Sequence, residues 1–591
     1  GNKELGLINR GEFTEIRTFI EDGVSSELSG NMIDLCPVGA LNNKLYSYRA
    51  RTWDLKQHSV ISPHDCIGSN IFYHVYSNEI VRAVPKENNE INQTWISDRD
   101  RFGYQGIYSE DRCRNPQHRS NGQLKEIEAQ SILKSLNQKI NENLKKYSPE
   151  SVGCFISPQS TSEEMYLFQR LSRALGVNNI DHRTNEQDFA YQDTYPVMPS
   201  LGTNLSNLHE FDNIILIGTN IKTEFPILTV RFNDAVKKDT NIYSYHFINM
   251  PEDFDVKKNF VMNNSDLLSV FQDHSLESCR GKKNLVIIGP NITYFYNQSL
   301  FLQAIEAFAS NINAAVGYLT DFCNSTSGWI LGNVPHRLPG GKEIKTPGYN
   351  TSEMLEGNLS SMIFFNLDPD NDFYNSSALI NALQKSSCNV FFTSFITPII
   401  EKYADFVVPI STYVETDGSY INIEGKFQTF SKVVQADKST FEGWHALNEL
   451  SKLNGLDDHS IVSIRNDLVS LLSNVDFTKN KKIDTKAYPK NDKSMIHKNT
   501  LRHIYSTDQI VRRAKSLNQT NQAINRQIYV SKDLVKDNPN KKTLSIEENE
   551  KVFKISDFKV KDDLPNKTIV YSSSFDNKFT ESKSTFVSLK K

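Results

Sequence analysis

No stretch of about eighteen consecutive apolar residues occurs in this sequence, which excludes a helical membrane span and leaves any membrane association to a partner. Nor is there an excess of charge: 66 basic against 70 acidic residues give a net −4. A nucleic-acid binder needs a basic surplus, so nucleic acid is excluded as a partner. Cysteine is scarce, seven in 591 residues, at positions 36, 66, 113, 154, 279, 323 and 388, with no close pairs. An odd and scattered set excludes a disulfide framework and points to a reducing compartment. Nucleotide fingerprints are missing too. No GxGxxG follows an apolar run, and Gly340-Gly341-Lys342-Glu343 lacks both the glycine spacing and the Ser/Thr of a phosphate loop, so NADH is not expected to bind here. What remains is 38% hydrophobic residues and a mean hydropathy of −0.48 in a chain long enough for several globular domains. Asn, Lys, Ile and Tyr are abundant, as an AT-biased coding sequence produces.

The most specific chemistry lies between Ser26 and Leu41, SELSGNMIDLCPVGAL. Cys36-Pro37 followed by Gly39 and Ala40 has the form of the last ligand of a ferredoxin-type iron–sulfur cluster. Thiolate is the soft anion iron prefers, proline removes a donor and fixes the turn, and small residues let backbone N–H groups approach the sulfurs. The dipeptide alone favours a buried free thiol, since cysteine is among the most buried residue types and Cys-Pro occurs often by accident.

SELSGNMIDLCPVGALNNK, together with TWISDRDRFGYQG from Thr94 to Gly106, resembles the large iron–sulfur subunit of respiratory complex I, the NADH:ubiquinone oxidoreductase. The resemblance implies that Cys36 is the fourth ligand of a [4Fe–4S] cluster whose other three ligands come from a CxxCxxC run. No such run is present, so the N-terminal iron–sulfur part of the same subunit is expected on a separate chain, with the cluster shared between the two. Flavin-bearing and quinone-side complex I subunits are the other partners implied, and the implied location is the matrix side of the mitochondrial inner membrane. The catalytic activity would belong to the assembly, with no independent active site in this chain.

The fold class that follows is α/β: molybdopterin-oxidoreductase-like parallel-sheet domains, preceded by a small β-rich domain and the end of an iron–sulfur cluster domain. Residues 1–45 are the expected end of that cluster domain, with Glu12 to Ile20 a candidate strand and a turn at Glu21-Asp22-Gly23. Residues 46–115 carry β signals, above all the hairpin Asn70 to Tyr76 and Glu79 to Val84 joined by Ser77-Asn78. In the wider molybdopterin oxidoreductase superfamily, which this region resembles, such a domain holds a cubane on Cys-x2-Cys-x3-Cys-x27-Cys. Here that pattern falls on Ser62, Asp65, Ser69 and Ser97, with Cys66 one residue out of register, so the site is expected to be lost. His58, His64 and Cys66 do not have metal-ligand spacing either.

Residues 116–450 alternate short apolar runs with helical patterns, the mark of βαβ units. The runs Val152 to Ile156, Ile214 to Gly218, Leu285 to Gly289, Met362 to Asn366, Val390 to Phe395 and Phe406 to Ile410 fit buried strands. Helices are expected over Thr161 to Leu175 with Ser162 as cap, Gln298 to Ala315, and Ser376 to Lys385. GTNIKTEFPILTVRFNDA from Gly218 and ADFVVPISTYVETDGSYINIEGKFQ from Ala404 resemble pterin-binding segments of the superfamily. No residue matches the metal-ligand position, so no molybdopterin is expected. Residues 451–525 should be helical, from Trp444 to Leu453 and Ile461 to Leu472, with a charged linker over Phe477 to Lys498 and a family-like motif at Ile504 to Leu517. Residues 526–591 read as an extended tail that wraps over partners. Two alternatives stand beside the first reading: a molybdopterin-dependent oxidoreductase of the formate dehydrogenase kind, and a structural module without a redox centre.

Overall fold

The computed structural model describes residues 4–18, 23–272, 279–295, 297–473, 496–501, 503–524, 527–536, 542–548, 551–572 and 585–589. The chain opens with a two-stranded antiparallel ribbon, β1 (Leu5–Ile8) and β2 (Glu15–Thr18). The expected strand from Glu12 is shorter than its pattern, because Gly11–Phe13 forms a 3-10 turn. Its last two residues, and Glu21 and Asp22 of the expected turn, lie outside the described residues. A short helix, α1 (Asn31–Leu35), precedes Cys36.

β3 (Lys56–Ile61), β4 (Asn70–Tyr76) and β5 (Glu79–Pro85) make an antiparallel sheet. The predicted hairpin turn is present, and Ser77 and Asn78 both take positive φ, 50° and 64°. Two successive left-handed residues match the twist of the flanking strands. Val60, Ile71, Tyr73, Ile80 and Ala83 form its inner face, closed by Ile96 and Tyr104 from the segment around helix α2 (Asp98–Phe102).

Two sheets build the α/β core. In the first, Phe406–Pro409, Cys388–Thr393, Ser361–Phe365, Val152–Ile156 and Ile180–Asp181 run parallel, and the antiparallel hairpin Gln117–Ser120/Gln123–Glu126 extends its edge. The second is wholly parallel, in the order Lys258–Val261, Asn241–His246, Asn213–Ile217, Asn284–Ile288, Ala314–Tyr318. The middle strands are buried on both faces, which is why they read as unbroken apolar runs. Two helix expectations change in detail. Thr161, not Ser162, caps Ser162–Ala174, in a reciprocal capping box with Glu164, while the Ser162 hydroxyl instead meets Ser327. The helix from Gln298 stops at Asn311 because Ala314 and Ala315 already belong to the edge strand.

The C-terminal region departs from its sequence reading. The charged linker falls largely on residues 474–495, outside the described residues, but its last residue, Lys498, is fully buried and pairs with Glu548 at 2.7 Å. Instead of an extended tail, residues from Ile496 onward form a seven-stranded mixed sheet with its own core of Ile528, Val530, Leu544, Ile546, Ile555 and Ile569. Its apolar residues alternate with Lys, Glu and Ser, a period of two that low average hydrophobicity conceals. Leu501, Tyr529, Leu564 and Val570 seat this sheet against the core around the second parallel sheet.

Candidate cluster-ligand site

α1 is five residues long and buries only one of them, Asn31. Its position is fixed by the residues around α2. Asn31 Nδ2 donates to the Ile96 carbonyl at 2.7 Å, and the Ile96 N–H returns a bond to Asn31 Oδ1 at 3.2 Å. The Asp98 carboxylate accepts from the Gly30 N–H and the Ser29 hydroxyl. Arg101, buried, donates to Asn31 Oδ1 and Asp34 Oδ2. Burial pushes the Asp98 carboxyl up to about 6, against the bonds from Ser29 and Gly30.

Cys36 ends this helix, with its N–H on the Met32 carbonyl at 3.1 Å. The chain then doubles back through Pro37 and Gly39, the latter at φ 67°, a left-handed position that suits glycine. The Leu41 N–H points at Cys36 Sγ from 3.4 Å. This N–H, with those of Val38, Ala40 and Gly39, holds the thiol below its ordinary range. Backbone donors aimed at a sulfur favour its thiolate form over the thiol. None of the seven cysteines, all within the described residues, is in a disulfide, and Cys36 alone is not buried. Burial has the opposite effect on Cys113, Cys154 and Cys388, whose thiols are pushed up to about 12.

The donor set therefore fits one corner of a cubane and no more. Among the described residues no group of three or more His, Cys, Asp or Glu could hold a metal ion. Within the Cys36 segment itself Val38 is 82% exposed and Leu35 63%.

The four positions of the lost superfamily pattern are filled differently. Ser62 and Ser97 donate to the two oxygens of Asp100, and Asp65 takes the Arg99 guanidinium at 2.6 Å. Ser69 is buried, and its hydroxyl meets no partner among the described residues. Beside them His64 pairs with Asp508 at 2.8 Å, both fully buried. Burial would push the Asp508 carboxyl up, but the attraction of His64, their hydrogen bond and the Val511 N–H outweigh it and bring it down to about 2. Cys66 is packed in a hydrophobic core and His58 stands half-exposed on β3, so the structure does not gather His58, His64 and Cys66 into a site. Sequence reasoning missed Asp98, Arg101 and Asn31. Their partners lie 65 to 70 positions away along the chain, and no local spacing reveals that pairing.

Among the described residues, two cavities of the α/β core are too small for a pterin nucleotide. Beyond the strand Asn213–Ile217, Gly218 lies against Ile292, and Glu224 is tied to Thr219 and Asn291. The cavity bounded by Arg183, Tyr195, Thr293 and Trp329 has about 50 Å³, and that between Gln159, Glu164, Tyr413 and Tyr420 about 30 Å³. Sites for molecules of cofactor size need roughly 300 Å³ or more. Neither cavity fits the group.

Three family models match the chain in sequence: NADH-quinone oxidoreductase subunit 3, ferredoxin-like domain, over residues 1–42; NADH-ubiquinone oxidoreductase NDSU1/NuoG-like, 4Fe-4S domain, over 55–105; and molybdopterin oxidoreductase over 112–453. An NADH-quinone oxidoreductase subunit of Rickettsia typhi is 28% identical over 482 residues, covering 79% of this chain and 66% of that protein. The NADH-ubiquinone oxidoreductase 75 kDa subunit of Reclinomonas americana is 27% identical over 478 residues, 77% of this chain and 65% of the relative. For the mitochondrial 78 kDa subunit of Candida albicans the figures are 27% over 457 residues, 76% and 60%. The chain thus spans about two thirds of the length of these relatives, or somewhat less. Acetylene hydratase from Pelobacter acetylenicus shares the fold, with a TM-score of 0.60 at 11% identity over 89% of this chain and 95% of that one. With residues 112–453 matched out of 591, this chain belongs to the molybdopterin oxidoreductase family.

Proposed function

We propose that this chain is an electron-transfer subunit of respiratory complex I, NADH:ubiquinone oxidoreductase, and that Cys36 is the fourth ligand of a [4Fe–4S] cluster shared with another chain carrying CxxCxxC. The observation that carries this is the Cys36 loop: backbone N–H groups, Leu41 foremost, face a sulfur that, unlike the other six, is not buried. Names and family models of the relatives support it. When bound, the cluster would supply one-electron relay between a flavin on another subunit and the quinone side. This chain's own part is to present the thiolate, hydrogen-bond the sulfurs and exclude water from that side, the levers that set a cluster's potential.

The α/β core serves as scaffold without molybdopterin, and the tight cavities beyond its strands support that reading. Among the described residues no helix is long and apolar enough to cross a membrane. Attachment to the matrix face of the mitochondrial inner membrane would run through other subunits. The test is low-temperature EPR on the assembled complex with Cys36→Ala: loss of one cluster signal supports the reading, and an unchanged set of signals leaves only a structural module. Stoichiometric molybdenum or tungsten would favour the molybdopterin-enzyme alternative.

A further inference from the structure

The segment from Trp95 to Gly106 has no chemical role in the reading above, yet two of its charged side chains are buried and directed at α1. Charges are not taken out of water without compensation, and here the compensation is the helix that ends in Cys36. We infer that Asp98 and Arg101 are positioning residues for the Cys36 ligand, so that the β-rich domain, which has no cluster ligands of its own, acts as the mount for the shared cluster. This inference rests on Cys36 being a ligand.

A five-residue helix has no stability of its own in water. Apolar packing anchors it only in part, since Leu35 is 63% exposed and Met32 and Ile33 are half-buried. Polar contacts supply the rest. Asp98 accepts the Gly30 N–H and the Ser29 hydroxyl at the start of the helix, while its own N–H holds the Glu27 carbonyl at 2.8 Å. Arg101 grips Asn31 and Asp34, three residues apart on one helix face. It also reaches the Ala83 carbonyl on β5 at 3.5 Å. Axial slide and rotation of α1 are thereby both fixed against the sheet. The Cys36 N–H on the Met32 carbonyl carries that placement to the sulfur. Gly30 is part of the arrangement: a Cβ there would stand 2.6 Å from Arg101 Cδ and 2.8 Å from Asp98 Oδ1. Displacing Sγ changes its distances to the N–H groups of the loop, and hydrogen bonds to cluster sulfurs tune the potential.

The experiment uses the assembled complex, with EPR, a redox titration of each cluster signal and iron content. Cys36→Ser identifies the signal concerned by abolishing it. Arg101→Met and Asp34→Ala should each shift the g-values and midpoint potential of that one signal, or lower its occupancy, and leave the others in place. Arg101→Lys, which keeps the charge but reaches only one of the two partners, should recover part of the shift. Unchanged g-values, potential and occupancy in Arg101→Met and Asp34→Ala, with Cys36→Ser still abolishing the signal, would overturn the inference and leave the ligand reading intact. If Cys36→Ser leaves every signal in place, the ligand reading fails first. Should Arg101→Met fail to assemble, Asp34→Ala decides the matter alone, because Asp34 lies at the surface and its loss breaks the same contact without emptying a buried site.

Discussion

The Cys36 loop and the pocket around Ser62, Asp65, Ser69 and Ser97 sit on adjoining parts of the same β-rich end of the molecule, and they are opposites. At Cys36 the donors outnumber what the protein offers them: several N–H groups face one sulfur, which is the one cysteine sulfur not buried. In the pocket most groups are satisfied internally, serine to aspartate, aspartate to arginine, histidine to aspartate, and all of it is buried. On the proposed reading, the contrast separates a ligand position in use from one that has been given up. A corner in use would leave capacity directed at something outside the chain. An abandoned one is rebuilt until its polar groups answer one another, since orphaned buried groups are costly.

The comparison breaks most sharply at the two cysteines. Cys36→Ser is expected to remove one cluster signal entirely, whereas Cys66→Ser leaves all of them unchanged; equal EPR spectra for the two variants would erase the distinction. Next in size is the buried pair of the pocket. Asp508→Ala leaves His64 without its partner and should cost about 3–5 kcal/mol, read as a lower midpoint in chemical denaturation. The same carboxyl is held at about 2 when folded. Its unfolded value is roughly 4, so its stabilisation is present above about pH 4 and is lost as pH falls towards 2, a window that should vanish from the pH–stability profile of Asp508→Ala.

A carboxyl with the reverse shift sharpens the picture. Glu164 is raised to about 7 by burial, so its stabilisation is full below the unfolded value and fades as pH rises through 7. Glu164→Gln retains the capping geometry with Thr161 and should flatten that decline, gaining on the order of 1–3 kcal/mol at pH 8. The smallest effect is expected at Gly39→Ala. Nothing among the described residues lies within 4 Å of the added methyl, so the cost is left-handed backbone strain of about 1 kcal/mol, measured as reduced cluster occupancy.

Much of the fold was legible where a strand is buried on both faces or a hairpin turn uses left-handed residues. Val152–Ile156, Asn70–Tyr76 and Glu79–Pro85 fall on their predicted runs, and Ser376–Lys385 on its predicted helix. The C-terminal sheet was not legible. In Thr543–Glu548 only Leu544 and Ile546 are apolar, and the third inward residue is Glu548, buried by virtue of Lys498 on a neighbouring segment. An ion pair formed across 50 positions reads as two solvated charges until the fold joins them. Cys36 stood out because the Cys-Pro-x-Gly-Ala pattern is local. Asp98 and Arg101 did not, because what they do is defined by a helix 60 or more residues earlier.

The burial of six thiols beside one accessible one also sets how the purified chain will behave on the bench. Under native conditions it should titrate as a monothiol with a disulfide reagent, the remaining equivalents appearing only on unfolding. Air oxidation of the separated chain should then give one discrete covalent dimer, joined through Cys36, in place of a ladder of scrambled species.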